Sequence, residues 1–347
     1  MIPGHRGNSF FSAARKIGIF PCDSNLKVTA NLLTYSFFIV ITFNFISLFG
    51  NFYFIRGTAK SAKSLVNWIA FLKSVFDNVF VFIHVIRLRI EVSRFRGVLR
   101  KFKSLPRQNM STTSFKFTAV FFVGSIRHVI LAIALLFTTD ESNASSVLME
   151  ASSFYVHFCS FMVILLFCSL AEILSFHFDN LTKDSTYDIA SVESKLDRHD
   201  RLRRLAEELN ALFSWQLLVG CFNKSVDTVV YVFSAIDIVK GGTFEYEATR
   251  DLVIFSEHAL WEVFNLFFLA RCCSQIVDSF GLLGVKVLQL VREDKNLYES
   301  DKIQLYLLRH QDFEISACGY FSVGYHLLIV VATTSCTYLV VLVQSFS

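Results

Sequence analysis

Residues 336–346 read CTYLVVLVQSF, and this stretch at the end of the chain organises the interpretation of everything before it. Thr337 and Tyr338 precede five apolar residues, after which comes the amide of Gln344. Residues 325–343 are apolar enough to lie in lipid as a helix of about 20 residues. The stretch therefore predicts a last membrane helix that ends on a polar residue.

The composition of the 347-residue chain is typical of proteins that cross a membrane several times. Hydrophobic residues make up 53% of it and charged residues 18%, and the mean hydropathy is +0.49. Long apolar runs recur along the whole sequence, which favours the lipid bilayer as its environment. The formal net charge of +4 is too small to indicate a nucleic-acid partner.

Seven apolar segments are each near or above the roughly 20 residues that a helix needs to cross a bilayer. They are residues 28–54, 65–86, 115–137, 147–178, 209–237, 251–283 and 316–346. The predicted fold is an all-α membrane protein with seven transmembrane helices in one polytopic domain, residues 1–347. Segments four to seven exceed the bilayer thickness, so their extra turns are expected to project into water and pack together.

The distribution of Lys and Arg predicts the orientation of these helices. The segments on the N-terminal side of the membrane carry 23 of the 33 basic residues, and those on the other side carry 5. Because basic residues are enriched in cytoplasmic segments, the tail 1–27 is predicted to be cytoplasmic and the C-terminus external. A G-protein-coupled receptor has the reverse orientation, so the charge distribution disfavours that class.

Three polar segments on the predicted inner side lead into or connect the spans. Residues 87–114 are the most basic and are interpreted as a solvated loop near anionic lipid. The spacing of Leu196, Leu202 and Leu205 predicts an amphipathic helix that leads into the fifth span. Ser300 is a capping residue for a predicted cytoplasmic helix that leads into the seventh span, so that residues 300–347 form an anchor helix and a final span.

Polar and aromatic side chains recur within the predicted spans of residues 28–283, where an ionisable group needs a partner or a water-filled cavity. Polar groups that converge beside aromatic rings are what a small-molecule pocket requires. The candidate ligand-binding residues are Trp68, Arg127, His128, Tyr155, His157, Asn223, Asp227, Tyr231, His258 and Trp261. Arg127 is expected to have a partner among Asp227, Glu257 and Glu262.

A purely structural interpretation of these polar residues stays open beside the binding one. Lys73 and Asp77, like Lys224 and Asp227, are spaced for ion pairs within one helix. The sequence has no Gly-rich phosphate loop, no His-Glu-x-x-His and no Gly-x-Ser-x-Gly, and its histidines and cysteines lack metal-ligand spacing. Neither an enzyme nor a metal or cofactor is indicated.

The C-terminal stretch resembles the signature of insect gustatory receptors, part of the insect chemoreceptor superfamily. In that signature Thr-Tyr, five hydrophobic residues and Gln-Phe close the last helix, and Thr337, Tyr338 and Gln344 match it. Ser345 stands where the family has Phe. The segment LRRLAEELNALFSWQLL, residues 202–218, also resembles this family.

The resemblance implies a ligand-gated cation channel in the membrane of a sensory neuron. It further implies four subunits, as a homotetramer or with other gustatory receptors, around one pore formed by the last helix. The inner extensions of spans four to seven would form a cytoplasmic anchor, and each subunit would bind a small-molecule tastant in the outer halves of spans two to six. The tastant class, sugar, fructose or bitter, is left open.

A secondary transporter is the alternative, with midplane charges such as Arg127 and Asp227 binding cargo. Transporters usually show related halves and spans broken by Gly or Pro, whereas no internal repeat is found and all three prolines lie outside the spans. Ligand-evoked current would favour the channel, and saturable uptake the transporter.

Two further expectations follow from the predicted orientation. Residues three or four apart share a helix face, so Gln344, Val340 or Val341, and Thr337 are predicted to line the pore, with Tyr338 behind. The sequence Asn143-Ala144-Ser145 lies in a predicted external loop, so any N-linked glycan is expected on Asn143.

Overall fold

The computed structural model describes the chain except for residues 1–29, 59–63, 107–119, 121–122, 128–143, 184–187, 241–245, 310–312 and 346–347. The described part is almost entirely α-helical, as predicted. The helices are α1 Ala30–Thr58, α2 Ser64–Ile90, α3 Val92–Ser104, α4 Ala144–Lys183, α5 Ile189–Lys240, α6 Tyr246–Glu293, α7 Asp301–Arg309 and α8 Tyr325–Ser345. Residues 123–127 are also helical, Lys295–Glu299 form a 3₁₀ turn, and strands β1 Ser316–Ala317 and β2 Phe321–Ser322 form a hairpin.

Helices α4, α5 and α6 are much longer than a bilayer requires. They contain 40, 52 and 48 residues. At 1.5 Å per residue their lengths are about 60, 78 and 72 Å, against a hydrocarbon core of about 30 Å. The predicted extensions of spans four to six are therefore present, and the predicted amphipathic helix before span five is continuous with that span.

Among the described residues, three helical segments are long and apolar enough to cross a membrane: Phe154–Lys183, Ile189–Lys240 and Ala248–Glu293. Thr34–Gly50 and Tyr325–Val341 are shorter apolar segments. Most of the predicted third span, residues 115–137, lies outside the described residues. The total of seven spans and the cytoplasmic location of the N-terminus stay predictions.

Helix α4 lies at the centre of the bundle and contacts α1, α2, α5 and α6. Every residue from Cys159 to Cys168 in α4 is buried, so this part of the helix is enclosed by protein on all sides. Phe167 of α4 packs on Phe213 of α5 at a ring-centroid distance of 5.5 Å, and Phe178 packs on Phe280 of α6 at 5.6 Å. The core therefore holds the three long helices together along their length.

The basic segment 87–114 is not only a solvated loop, because much of it folds into α3. Phe95, Val98, Leu99 and Phe102 are buried and recur at the spacing of one helix face. They belong to the same hydrophobic core as α5, which α3 contacts. The loop interpretation considered only the charges and missed this apolar periodicity.

The start of the last helix also differs from the prediction, since α8 begins at Tyr325 and not at Ser316. The predicted helix after Ser300 is present over Asp301–Arg309, and the Ser300 Oγ accepts a hydrogen bond from the amide of Ile303 at 3.4 Å. A hairpin then follows, because Cys318 and Gly319 have positive φ angles of 53° and 76°. Such angles turn a chain back on itself and interrupt a helix.

Replacing Gly319 with Ala is expected to destabilise the hairpin that precedes α8. A non-glycine residue in the left-handed region costs about 1–2 kcal/mol. Gly97→Ala in α3 is the matched control, because an added Cβ meets nothing within 4 Å at either position and only Gly319 has a positive φ. Thermal unfolding of the purified protein should give a lower midpoint for Gly319→Ala and an unchanged or higher one for Gly97→Ala. Equal midpoints would contradict the role assigned to the turn.

Candidate ligand site

Four helices each direct a polar face toward one region of the bundle. In α5, Asn223, Asp227 and Tyr231 are spaced by four residues and so share a face. In α6, His258, Glu262 and Asn265 recur at spacings of three and four. Lys73 and Asp77 of α2 and His157 of α4 face the same region.

The centre of this region is an ion-pair network around Lys73. The Lys73 Nζ lies 3.0 Å from Asp77 Oδ2, 3.6 Å from Asp227 Oδ1 and 3.2 Å from His157 Nε2. The His157 Nε2 is also 3.5 Å from Asp77 Oδ2. Asn223 donates a hydrogen bond to the other Asp77 oxygen at 2.5 Å. Helices α2, α4 and α5 therefore meet through these side chains.

The network continues into α6 through Lys224. The Lys224 Nζ lies 3.6 Å from Asp227 Oδ2 and 3.1 Å from Glu262 Oε2. Asn265 donates a hydrogen bond to the same Glu262 oxygen at 3.4 Å. Asp227 thus has one oxygen facing Lys73 and the other facing Lys224, and it joins the two halves of the network.

Arg127 forms a second group beside the network. It makes a two-pronged ion pair with Glu257, with N–O distances of 2.5 and 2.9 Å. Its Nη2 is 2.9 Å from Nδ1 of His258, and its guanidinium lies 4.8 Å from the centre of the Trp261 ring. The predicted partner for Arg127 is therefore Glu257, one of the three carboxylates considered.

Aromatic rings form the walls around both groups. Tyr231 stacks on His258 at a centroid distance of 4.8 Å and an interplanar angle of 14°. The Lys73 ammonium lies 5.0 Å from the centre of the Tyr231 ring, an attractive cation–π arrangement. Phe161 of α4 contacts Trp261 at 5.5 Å. The charged groups therefore face π surfaces as well as each other.

Burial makes each member of the central network dependent on the others. Lys73, Asp77, Lys224, Asp227 and Glu262 are all buried, and Asp227 has no exposed surface. An isolated charge in such surroundings costs several kcal/mol, which its partners must offset. Because buried ion pairs add little net stability, an ionisable cluster inside apolar helices indicates function more than structure.

The site is nearly closed in this structure. A cavity of about 20 Å³ lies between the network and the Arg127 group. This volume accommodates about one water molecule, whereas pockets for drug-sized ligands occupy about 300–1,000 Å³. Its lining comprises Arg127, Phe154, His157, Phe161, Lys224, His258, Trp261, Glu262 and Asn265. Side chains must therefore move apart before the site accepts such a ligand.

Most of the predicted site residues converge in the structure. Arg127, His157, Asn223, Asp227, Tyr231, His258 and Trp261 belong to the two connected groups. Tyr155 points elsewhere, because its ring stacks on Phe43 of α1 at 4.3 Å. The side chain of Trp68, and all of His128 and Asn143, lie outside the described residues. Ligand contact by any of these residues stays a prediction.

The site also contains residues that were not among the predicted ligand-binding set. Lys73–Asp77 and Lys224–Asp227 form the intrahelical pairs that their spacing indicated, but both pairs also reach other helices. Asn265 and Phe161 were not anticipated. The sequence contains one signal for Asn265, because this residue follows Glu262 by three positions and therefore lies on the same helix face.

The predicted pore-lining residues lie on α8, which contacts α5 and α6 within the chain. Thr337, Val340, Val341 and Gln344 are exposed, and so is Tyr338. Because Tyr338 is as exposed as the predicted pore-lining residues, exposure in one chain does not separate the predicted pore face of α8 from the opposite face. The assignment of the pore face stays a prediction.

Long apolar helices that enclose a buried polar site define an architecture suited to a membrane receptor for small molecules. The chain matches the family described as 7tm Chemosensory receptor over residues 8–345 and belongs to it. This is a family of receptors and not of enzymes. A comparison with curated proteins gives no match.

The fold is shared with solved insect receptors. The structure of the insect olfactory receptor OR5 from Machilis hrabei has 16% sequence identity to this chain and a TM-score of 0.67, with 97% of each chain covered. The structure of OR5 in complex with eugenol has 15% identity and a TM-score of 0.66, with 97% of each chain again covered. At this level of identity the likeness concerns the fold alone.

Removing one cation from the network should destabilise the protein strongly. Lys224→Met leaves Glu262 and Asp227 buried with too little positive charge, and breaking such a pair typically costs about 3–5 kcal/mol. Lys302→Met is the matched control, because Lys302 pairs with Asp197 at 2.7 Å but is 40% exposed. An exposed pair contributes about 0–1 kcal/mol. Chemical unfolding of the two purified variants measures the difference, and equal free energies of unfolding would contradict the importance of the network.

Proposed function

We propose that this protein is a gustatory-type chemoreceptor that works as a ligand-gated, weakly selective cation channel of four subunits. The membership in the 7tm Chemosensory receptor family supports the receptor part of the proposal. The Thr337-Tyr338 and Gln344 signature favours a gustatory over an olfactory role. A relative of this fold has been solved with eugenol, and we infer that this chain also binds a small molecule.

The observation that carries the proposal is that α6 contacts both the buried site and the first turn of α8. Glu262 and Asn265 lie in the site, and Phe267, two residues after Asn265, contacts the Tyr325 ring at a centroid distance of 6.2 Å. Two turns further on, the Ser274 hydroxyl accepts a hydrogen bond from the Tyr325 amide at 3.2 Å. A displacement of α6 at the site therefore reaches the start of α8.

Ligand entry supplies that displacement, because the cavity of about 20 Å³ is too small for an organic molecule. A ligand that fits only the enlarged site binds the enlarged state more tightly than the closed state. This difference in affinity shifts the equilibrium toward the enlarged state. In the proposed mechanism the site enlarges when α6 moves away from α4 and from residues 123–127, which line the cavity together with α6. Trp261 and Glu257 of α6 move with it, so the Arg127 group is the contact that opens.

Four copies of α8 around one axis would place rings of Val340 or Val341 below a ring of Gln344 amides. Apolar rings of this kind close a pore by excluding water, and hydroxyls and amides replace water around a passing cation. Thr337 continues the same face toward the predicted inner side. The proposed pore has no acidic ring, which is the reason to expect weak selectivity among monovalent cations.

Reversing and then exchanging the charges of the Arg127–Glu257 pair tests the receptor function. Arg127→Glu should abolish ligand-evoked current, because it places two carboxylates against each other beside the site. The double variant Arg127→Glu/Glu257→Arg should recover at least part of the current, since the pair is restored with the charges exchanged. Whole-cell recording during application of a tastant panel measures both, with surface labelling to confirm equal expression.

Arg203→Glu is the control for this experiment, because Arg203 forms an exposed pair with Glu207 at 2.9 Å, far from the site. It should respond like the unmodified protein. Normal current in Arg127→Glu would show that the site is wrongly assigned. If the unmodified protein takes up the ligand without any current, the protein is a transporter and not a channel.

Single Cys substitutions along residues 337–344 test the pore. A thiol-reactive cation applied from outside should block variants at 344, at 340 or 341, and at 337, because these positions share one face. The Tyr338→Cys variant should be silent, and the experiment is performed in a Cys336→Ser background because Cys336 is exposed. Protection of position 344 in both resting and ligand-bound states would mean that another helix lines the pore.

A further inference from the structure

A second cavity lies far from the ligand site, between the end of α3 and the first half of α5. Its volume is about 610 Å³, in the range of small-molecule sites. The lining residues are Lys101, Ser104, Leu105, Pro106, His177, Leu181, Arg198, Arg201, Leu202, Arg204, Leu205 and Glu208. The proposed receptor function makes no use of this cavity.

The lining is strongly cationic. It includes four basic side chains, at positions 101, 198, 201 and 204, but only the carboxylate of Glu208. Glu208 is already paired with Lys101 at 2.5 and 2.7 Å, and Arg204 pairs with Asp200 at 2.8 Å. These pairs are half exposed, so they are weak and able to exchange partners.

Two of the guanidinium groups are poorly engaged by the protein. Arg198 has no hydrogen bond or ion pair to the part of the chain that the structure describes. Arg201 donates through its Nε to the backbone oxygen of Asp197 at 3.3 Å. Both side chains are exposed and lie three residues apart on the face of α5 that lines the cavity. They are therefore available to a ligand.

His177 provides an independent indication of a ligand. It lines the cavity from α4 and is only 5% exposed, and its Nε2 has no hydrogen-bond partner among the described residues. A buried ring nitrogen without a partner is costly, so such groups usually serve a bound molecule or water. As a donor, the His177 Nε2 would suit an anionic oxygen.

The location of the cavity favours a phosphorylated ligand. It lies at the end of α4 and beside α3, on the side of the bundle that the Lys and Arg distribution predicts to be cytoplasmic. Clusters of four or more basic residues next to the cytoplasmic ends of membrane helices attract polyphosphorylated headgroups. Arg binds phosphate oxygens with two parallel hydrogen bonds, and a single carboxylate or phosphodiester would leave most of these groups unused.

We propose that this cavity binds a compact anion carrying two or more phosphate monoesters, presented either by an inositol lipid headgroup or by a free inositol phosphate. Arg198 and Arg201 would bind one phosphate between them, and Lys101 and Arg204 would exchange their carboxylate partners for another. His177 would donate from the floor of the cavity. The site is independent of the proposed tastant site and would tie the inner ends of α3, α4 and α5 to the membrane surface or to a soluble metabolite.

The test uses the full-length protein purified in detergent and then mixed with vesicles. Phosphatidylcholine vesicles containing phosphatidylinositol 4,5-bisphosphate are compared with vesicles of equal surface charge containing phosphatidylserine. Free inositol 1,4,5-trisphosphate is titrated separately by calorimetry. Stronger retention on the bisphosphate vesicles, or calorimetric binding of the free trisphosphate, supports the proposal, and the arm that responds identifies the source.

Two double variants with the same change in net charge separate the cavity from general attraction. Arg198→Gln/Arg201→Gln should weaken binding by about tenfold or more, the loss expected for charge-assisted hydrogen bonds. Arg203→Gln/Lys302→Gln removes two basic residues that lie outside the cavity lining and are paired with Glu207 and Asp197. It should bind like the unmodified protein.

Several results would overturn the proposal. Equal binding of the unmodified protein to phosphatidylserine and bisphosphate vesicles, without binding of the free trisphosphate, would leave only general attraction to anionic lipid. Equal weakening in the two double variants would have the same meaning. The comparison of vesicles needs no variant, so the proposal is tested even if a substitution impairs folding.

Discussion

The rest of the site depends on Asp227, because its single carboxylate interacts with two buried ammonium groups, those of Lys73 and Lys224. Its two oxygens lie 3.6 Å from Lys73 and 3.6 Å from Lys224. A charge inside a bundle of apolar helices persists only if its neighbours offset the cost of removing it from water. That constraint joins α2, α4, α5 and α6 at one level of the bundle and fixes how they are rotated against each other.

The same constraint explains why the site is suited to switching. Dense apolar packing of α4 makes the surrounding bundle resistant to gradual deformation, whereas ion pairs and stacked rings exchange partners in discrete steps. The Arg127–Glu257 pair is more accessible than the central network, with Glu257 39% exposed. In the proposed mechanism the ligand opens this more accessible contact, α6 moves away from α4 and from residues 123–127, and the contacts of α6 with Tyr325 transmit the displacement to α8.

The buried network and the cavity at Arg198 differ in how completely their charges are paired. In the buried network nearly every charge has an opposite charge within 4 Å, and the cavity between the network and the Arg127 group has a volume of only about 20 Å³. Around the cavity at Arg198, positive groups outnumber carboxylates and much of the space is open. A closed site in which every charge is paired must open before it admits a ligand. An open cavity whose basic groups are unpaired or only weakly paired attracts an anion without such a rearrangement. This difference leads us to assign ligand gating to the first region and anion binding to the second.

The sequence alone determined the helical class, the long helices α4, α5 and α6, the cap at Ser300 and the family, because periodicity, length and motif spacing are properties of neighbouring residues. It also restricted the partner of Arg127 to three carboxylates, since a buried cation requires one. Only the tertiary structure selected Glu257, 130 residues away, and merged the pairs at Lys73 and Lys224 into one network. It also placed a hairpin where an uninterrupted helix was expected, because the positive φ at Cys318 and Gly319 is not apparent from hydropathy. Contacts between helices depend on their rotation and relative height, which packing of the whole bundle decides and no local pattern specifies.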